Sequence, residues 1–130
     1  MNTNICIIDD DDIYQLTMSL NLKAINPDFT INIFNDGLEA INFIKDNLNN
    51  QTALPDIIFL DINMPVMDGF QFIEEYVKLK SKVNKPITIY MVSSSVDPVD
   101  TEKSRVHDEI LKYIVKPLKK PQLQEILKRF

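Results

Sequence analysis

Apolar runs recur along the chain at residues 5–8, 29–34, 57–60, 87–92 and 113–115, each followed by polar or turn-forming residues. Counted between Ile5, Ile31, Ile57, Ile87 and Tyr113, the spacings are 26, 26, 30 and 26 residues. Runs this short, rich in β-branched and aromatic residues, predict strands buried on both faces. Each gap carries helical signals, so the rhythm predicts βαβ units and a mostly parallel sheet. No sequence repeat accompanies it.

The helical segments are read from caps and from three- and four-residue apolar steps. The first starts at Asp11 or Asp12, and its predicted buried stripe is Ile13, Leu16, Leu20 and Ala24, ended by Asn26-Pro27-Asp28. The second starts near Asp36-Gly37 with Leu38, Ile41, Ile44 and Leu48. The third spans about 69–81 and buries Phe72 or Ile73, Tyr76 and Leu79 or the stem of Lys80. The fourth has Asp97 as cap and Pro98 in its first turn. Its apolar face is thin, Val99, Val106 and Ile110, which predicts a weakly anchored element. The fifth begins near Pro121 with Leu123, Ile126, Leu127 and Phe130.

Composition narrows the class. At 130 residues with 45% hydrophobic and 25% charged content, the chain is expected to form one soluble domain, 1–130, with no attached output domain. The lone cysteine, Cys6, lies inside an apolar run and reads as a small buried residue in a reducing, cytoplasmic setting. No run approaches the ~20 residues of a membrane span. The formal charge of −5 argues against nonspecific nucleic-acid binding. Residues 112–130 nonetheless hold six Lys or Arg against one Glu, a solvated basic last helix or an edge for an acidic partner. His107, near a helix end, reads as solvated, and Met64 and Met67 read as loop packing.

One stretch organises the rest. Ile57-Ile58-Phe59-Leu60 ends abruptly at Asp61, and Pro65 and Gly69 then delay regular structure until about Phe70. A carboxylate at the mouth of a buried strand is costly unless a cation or hydrogen bonds meet it. The other strands end in Asp9-Asp10, Ser93 and Lys116, while the second ends in Phe34-Asn35. The acidic pair is read as Asp9-Asp10 because the first strand ends at Ile8.

Asp9-Asp10, then Asp61 followed by Met64-Pro65 and Asp68-Gly69, then Ser93, then Lys116-Pro117, resembles the receiver domains of response regulators from end to end. The resemblance implies a three-layer α/β sandwich, flavodoxin-like (βα)5, with a five-stranded parallel sheet in the order 2-1-3-4-5. That order puts Asp9, Asp10 and Asp61 at one switch point, flanked by Ser93 and Lys116. Two carboxylates ~4 Å apart repel by ~4 kcal/mol at an effective dielectric near 20, so three in one cleft require a cation. Few ligands, all oxygen, suit Mg²⁺ rather than Zn²⁺.

By the same resemblance Asp61 is the phospho-acceptor. Asp10 is the direct metal ligand, Asp9 its water-mediated partner, and the backbone carbonyl of Asn63 the third protein ligand. Ser93 is the switch hydroxyl, Lys116 precedes a cis proline, and Tyr113 is the aromatic that moves inward on activation. The usual Ala-Gly turn is missing between Glu102 and Leu111. Implied partners are a histidine kinase or histidine phosphotransfer protein upstream and an unidentified protein downstream. The latter would be met by the face of the fourth helix, fifth strand and fifth helix, in a monomer or a phosphorylation-dependent dimer. The expected role is signalling, not turnover of a separate substrate. A haloacid-dehalogenase-type phosphatase would want a second aspartate where Asn63 stands. A phosphate-independent binding module would lack one of the acidic residues or the lysine, and none is missing.

Overall fold

The computed structural model describes residues 3–130. Five strands, β1 (Asn4–Ile8), β2 (Thr30–Phe34), β3 (Ile57–Leu60), β4 (Thr88–Ser93) and β5 (Ile110–Val115), form one sheet in the order β2-β1-β3-β4-β5. Every pair in it is parallel. The helices are α1 (Asp12–Ile25), α2 (Gly37–Asp46), α3 (Gly69–Leu79), α4 (Pro98–Arg105) and α5 (Lys120–Leu127). The predicted architecture and strand order are therefore those of the molecule. No helix among the described residues is long and apolar enough to cross a membrane.

Strand alternation builds two cores. Ile5, Ile7, Ile57, Phe59, Tyr90 and Val92 face α1 and α5, where Met18, Leu22, Leu123 and Leu127 cover them. Cys6, Ile8, Ile58, Leu60, Ile89 and Met91 face the other way, under Ile41, Ile44, Phe72, Ile73 and Tyr76 of α2 and α3. Both Phe72 and Ile73 are buried, because α3 packs against the sheet on one flank and α2 on the other. Burial also pushes the Cys6 thiol up to about 12.

Leu38 and Phe130, read into the apolar stripes of α2 and α5, are exposed, and four further readings need correction. The predicted α1 stripe faces solvent: Ile13 is 78% exposed, Leu16 61% and Leu20 62%. The helix carries a second apolar row, Tyr14, Met18, Leu22 and Ile25, and this row meets the sheet. Two apolar rows on one helix leave the period ambiguous. In α4, Val99 and Val106 point outward and Ser104 is the buried residue, so its contact with the sheet is thinner still than predicted. Ile110 belongs to β5, which starts three residues before the apolar run. A register shift opposite Ile89 and Tyr90 sets Leu111 out of the ladder and breaks the run. His107 is half-buried, its ring stacked on Phe70 at 6.0 Å between centroids, with the Lys103 ammonium 4.7 Å from the same Phe70 ring.

Candidate functional site

The carboxyl ends of β1, β3, β4 and β5 meet at one rim. Asp9 and Asp61 each lie one residue past a strand end, and their amides continue the ladder, Asp9 to the Phe34 carbonyl at 3.0 Å and Asp61 to that of Ile8 at 2.9 Å. The backbone thus carries both carboxylates to the lip before the chain turns away. Asp11 caps α1 by accepting from the Ile13 and Tyr14 amides, which turns Asp10 outward beside the buried Asp9. One carboxylate oxygen from each of Asp9, Asp10 and Asp61 lies within 4.8 Å of the others.

Lys116 is the counterweight. Its ammonium is 2.6 Å from Asp9 and 3.8 Å from Asp61, and its side chain is only 16% exposed. The Lys116 amide donates to the Ser93 carbonyl at 2.9 Å, and the Lys116-Pro117 bond is cis. On its other side the ammonium lies 4.2 Å from the centroid of the Tyr14 ring. The Tyr14 hydroxyl is buried and has no hydrogen-bond partner among the described residues.

The electrostatics follow from burial and crowding. Burial, then the neighbouring Asp9 charge, pushes the Asp61 carboxyl up to about 6. Lys116, the Ile62 amide (2.8 Å) and the Ser93 hydroxyl pull the other way and do not compensate. Burial likewise raises Asp9, opposed by the Lys116 hydrogen bond and the Asp11 amide. Burial together with Asp9 and Asp61 raises the Tyr14 phenol. A divalent cation among like charges this close would relieve their repulsion. The three acids, all oxygen donors, fit a small hard ion.

The loop after Asp61 is tightly held. The Gly69 amide donates to the Ile62 carbonyl at 2.8 Å, and the Gly37 amide reaches the Met67 carbonyl at 2.9 Å. Asp68 and Gln71 form a reciprocal cap on α3 at 2.8 and 2.9 Å. Val66, 75% exposed, sits at φ 66, a conformation β-branched residues rarely adopt. Met64 and Met67 pack against the core as loop residues, while Asn63 is exposed.

On the far side of Ser93 a second network begins. The Tyr113 hydroxyl donates to the Ser95 carbonyl at 2.7 Å. The Ser95 hydroxyl donates to Asp100 of α4 at 2.6 Å, and the Ser95 amide lies 3.3 Å from the Ser93 hydroxyl. Tyr113 itself is half-buried against the α3-side core. The sequence reading therefore named Asp9, Asp10, Asp61, Ser93 and Lys116, which the fold brings to one rim. It missed Tyr14, whose only sequence signal was its four-residue spacing from Met18 and Leu22, and it missed the Ser95–Asp100 tie.

Comparison with known proteins agrees with this geometry. The pattern described as response regulator receiver domain matches residues 5–128. The chain is 34% identical over 94 residues to the sensor histidine kinase CheAY of Helicobacter pylori, covering 72% of this chain and 11% of that protein. It spans less than half the length of the curated relatives it matches. A two-component response regulator from Cytophaga hutchinsonii superposes with a TM-score of 0.84 at 27% identity, covering 99% of this chain and 96% of the other. A receiver domain of a Pseudomonas aeruginosa sensor histidine kinase, with magnesium coordinated in its active site cleft, shares the fold at 21% identity. Its TM-score is 0.77, with 99% and 97% of the two chains covered.

Proposed function

This chain belongs to the response regulator receiver domain family, and we propose that Asp61 is its phosphoryl acceptor. The family consists of signalling modules rather than enzymes with a separate substrate. The donor in this reading is a histidine kinase or a histidine phosphotransfer protein. The observation that carries it is the convergence of Asp9, Asp10 and Asp61 within 4.8 Å, with the Lys116 ammonium reaching into the cluster.

A carboxylate oxygen of Asp61 attacks phosphorus, and the bond from phosphorus to the donor imidazole nitrogen breaks, its electron pair leaving with the imidazole. The Lys116 ammonium and the Ser93 hydroxyl stand where they can meet the phosphoryl oxygens. Asp9, Asp10 and Asp61, with the Asn63 backbone carbonyl, would hold Mg²⁺. When bound, the ion supplies positive charge that offsets the carboxylates and the phosphoryl oxygens. The cytoplasm, where such donors and Mg²⁺ are at hand, is the proposed compartment.

The test is incubation with phosphoramidate or acetyl phosphate and Mg²⁺, followed by intact-mass measurement. Wild type should gain one phosphoryl group, and Asp61→Asn none. An Asp61→Asn protein that still gains the group would remove Asp61 from the role.

The output in this reading passes from Ser93 to Tyr113 and the α4-β5-α5 face, where the phosphate's added charge of about −2 draws the hydroxyl and ammonium inward. The Tyr113–Ser95–Asp100 chain of hydrogen bonds supports it by joining β5 to α4 through the intervening loop. Tyr113→Phe should therefore shrink the amide-shift changes that beryllofluoride produces in α4. Identical shift maps for the two proteins would exclude Tyr113 from the output.

A further inference from the structure

We propose that Tyr14 is a positioning residue for Lys116, its ring forming the wall that keeps the ammonium between Asp9 and Asp61. The inference rests on the reading of Asp61 as acceptor and deepens it. Lysine reaches the site on a long flexible stem, and its charged end can be held only by what surrounds it. Two of its neighbours are carboxylates, at 2.6 Å and 3.8 Å, and the third is the Tyr14 ring at 4.2 Å, well within cation–π range.

The carboxylates are unreliable anchors. Any cation that Asp9 and Asp61 bind competes with Lys116 for the same oxygens, and so does a phosphoryl group on Asp61. The ring is uncharged and does not compete, so it holds the ammonium while its ionic partners are taken. The hydroxyl contributes nothing to this. It has no partner among the described residues, so the contact with Lys116 is made by the aromatic face alone. Tyr14 reaches the rim because it heads the buried row of α1, one residue past Ile13 on the exposed row. Asp9, Asp61 and Lys116 all continue the strand parity that faces α1, which places them on the ring's side of the sheet.

The test compares Tyr14→Phe and Tyr14→Leu in the full chain, with two readouts. In metal-free protein, the ε-methylene protons of Lys116 should be shifted upfield by the ring current in wild type and Tyr14→Phe, and return to ordinary values in Tyr14→Leu. With phosphoramidate and Mg²⁺, the initial rate of uptake should fall by about threefold to thirtyfold in Tyr14→Leu and be rescued by Tyr14→Phe. If Tyr14→Leu fails to fold, Tyr14→Met takes its place. Unshifted Lys116 protons in wild type, or a wild-type rate in the folded aliphatic variant, would overturn the proposal and leave the acceptor reading standing. Absence of any adduct on wild-type Asp61 would overturn both.

Discussion

Metal-free Asp61→Asn should be more stable than wild type by about 3 kcal/mol at about pH 7.5, and scarcely more stable below about pH 4. The Asp61 carboxyl is buried beside Asp9, which raises it from an ordinary 3.8 to about 6. An acid whose folded pKa lies above its unfolded value stabilises the fold in its protonated form. That contribution is fully present below about 3.8 and is lost as pH rises through about 6. At neutral pH wild type therefore carries an ionised, poorly solvated carboxylate that the unfolded chain would hydrate freely. Asparagine keeps the shape and removes the charge. Urea denaturation in chelator at both pH values measures the difference, and an equal gain at low and neutral pH would exclude charge crowding as its cause. Mg²⁺ should stabilise wild type at neutral pH much more than the variant, because binding to the folded state alone shifts the unfolding equilibrium. In the proposed reading, stability is here subordinate to a site that attracts a cation and a phosphoryl group.

Gly69→Ala should destabilise the protein by about 3 kcal/mol or more and slow phosphoryl uptake on Asp61. A Cβ at this position would come within 2.2 Å of the Asp61 carbonyl oxygen and 3.1 Å of the Ile62 Cα. Both are backbone atoms, so no rotamer change relieves the clash. The start of α3 would have to move off the end of β3, breaking the 2.8 Å hydrogen bond from the Gly69 amide to Ile62. Denaturant midpoints measure the first effect and intact mass over time the second. A variant with wild-type stability would mean that the loop can shift without cost. Glycine is thus required here by close approach and not by an unusual backbone angle.

The fold was legible because its strands are buried on both faces. Ile57 to Leu60 and Ile5 to Ile8 read as uninterrupted apolar runs, and the spacing between runs set the βα rhythm. The order of strands came from the resemblance, and with it the meeting of Asp9, Asp10 and Asp61. Less was legible where periodicity had two solutions or none. In α1, Ile13-Leu16-Leu20 and Tyr14-Met18-Leu22 are both acceptable helical rows, and only packing against α5 and the sheet chooses the second. In β5 the exposed Leu111 and Lys112 hid a strand that pairs with β4 on both sides of the register shift at Leu111. The Tyr14–Lys116 contact joins residues far apart in sequence, through a helix face that the pattern had turned to solvent. The Tyr113–Ser95 hydrogen bond involves a backbone carbonyl, which no side-chain motif encodes.

The pleat of the sheet has a consequence for this rim. Asp9, Asp61 and Lys116 prolong the rows that look toward α1 and α5, whereas Ser93 and Tyr113 belong to rows that look toward α3. At the rim the two faces of the sheet are joined, because the Ser93 hydroxyl acts on the Asp61 carboxyl from across the pleat.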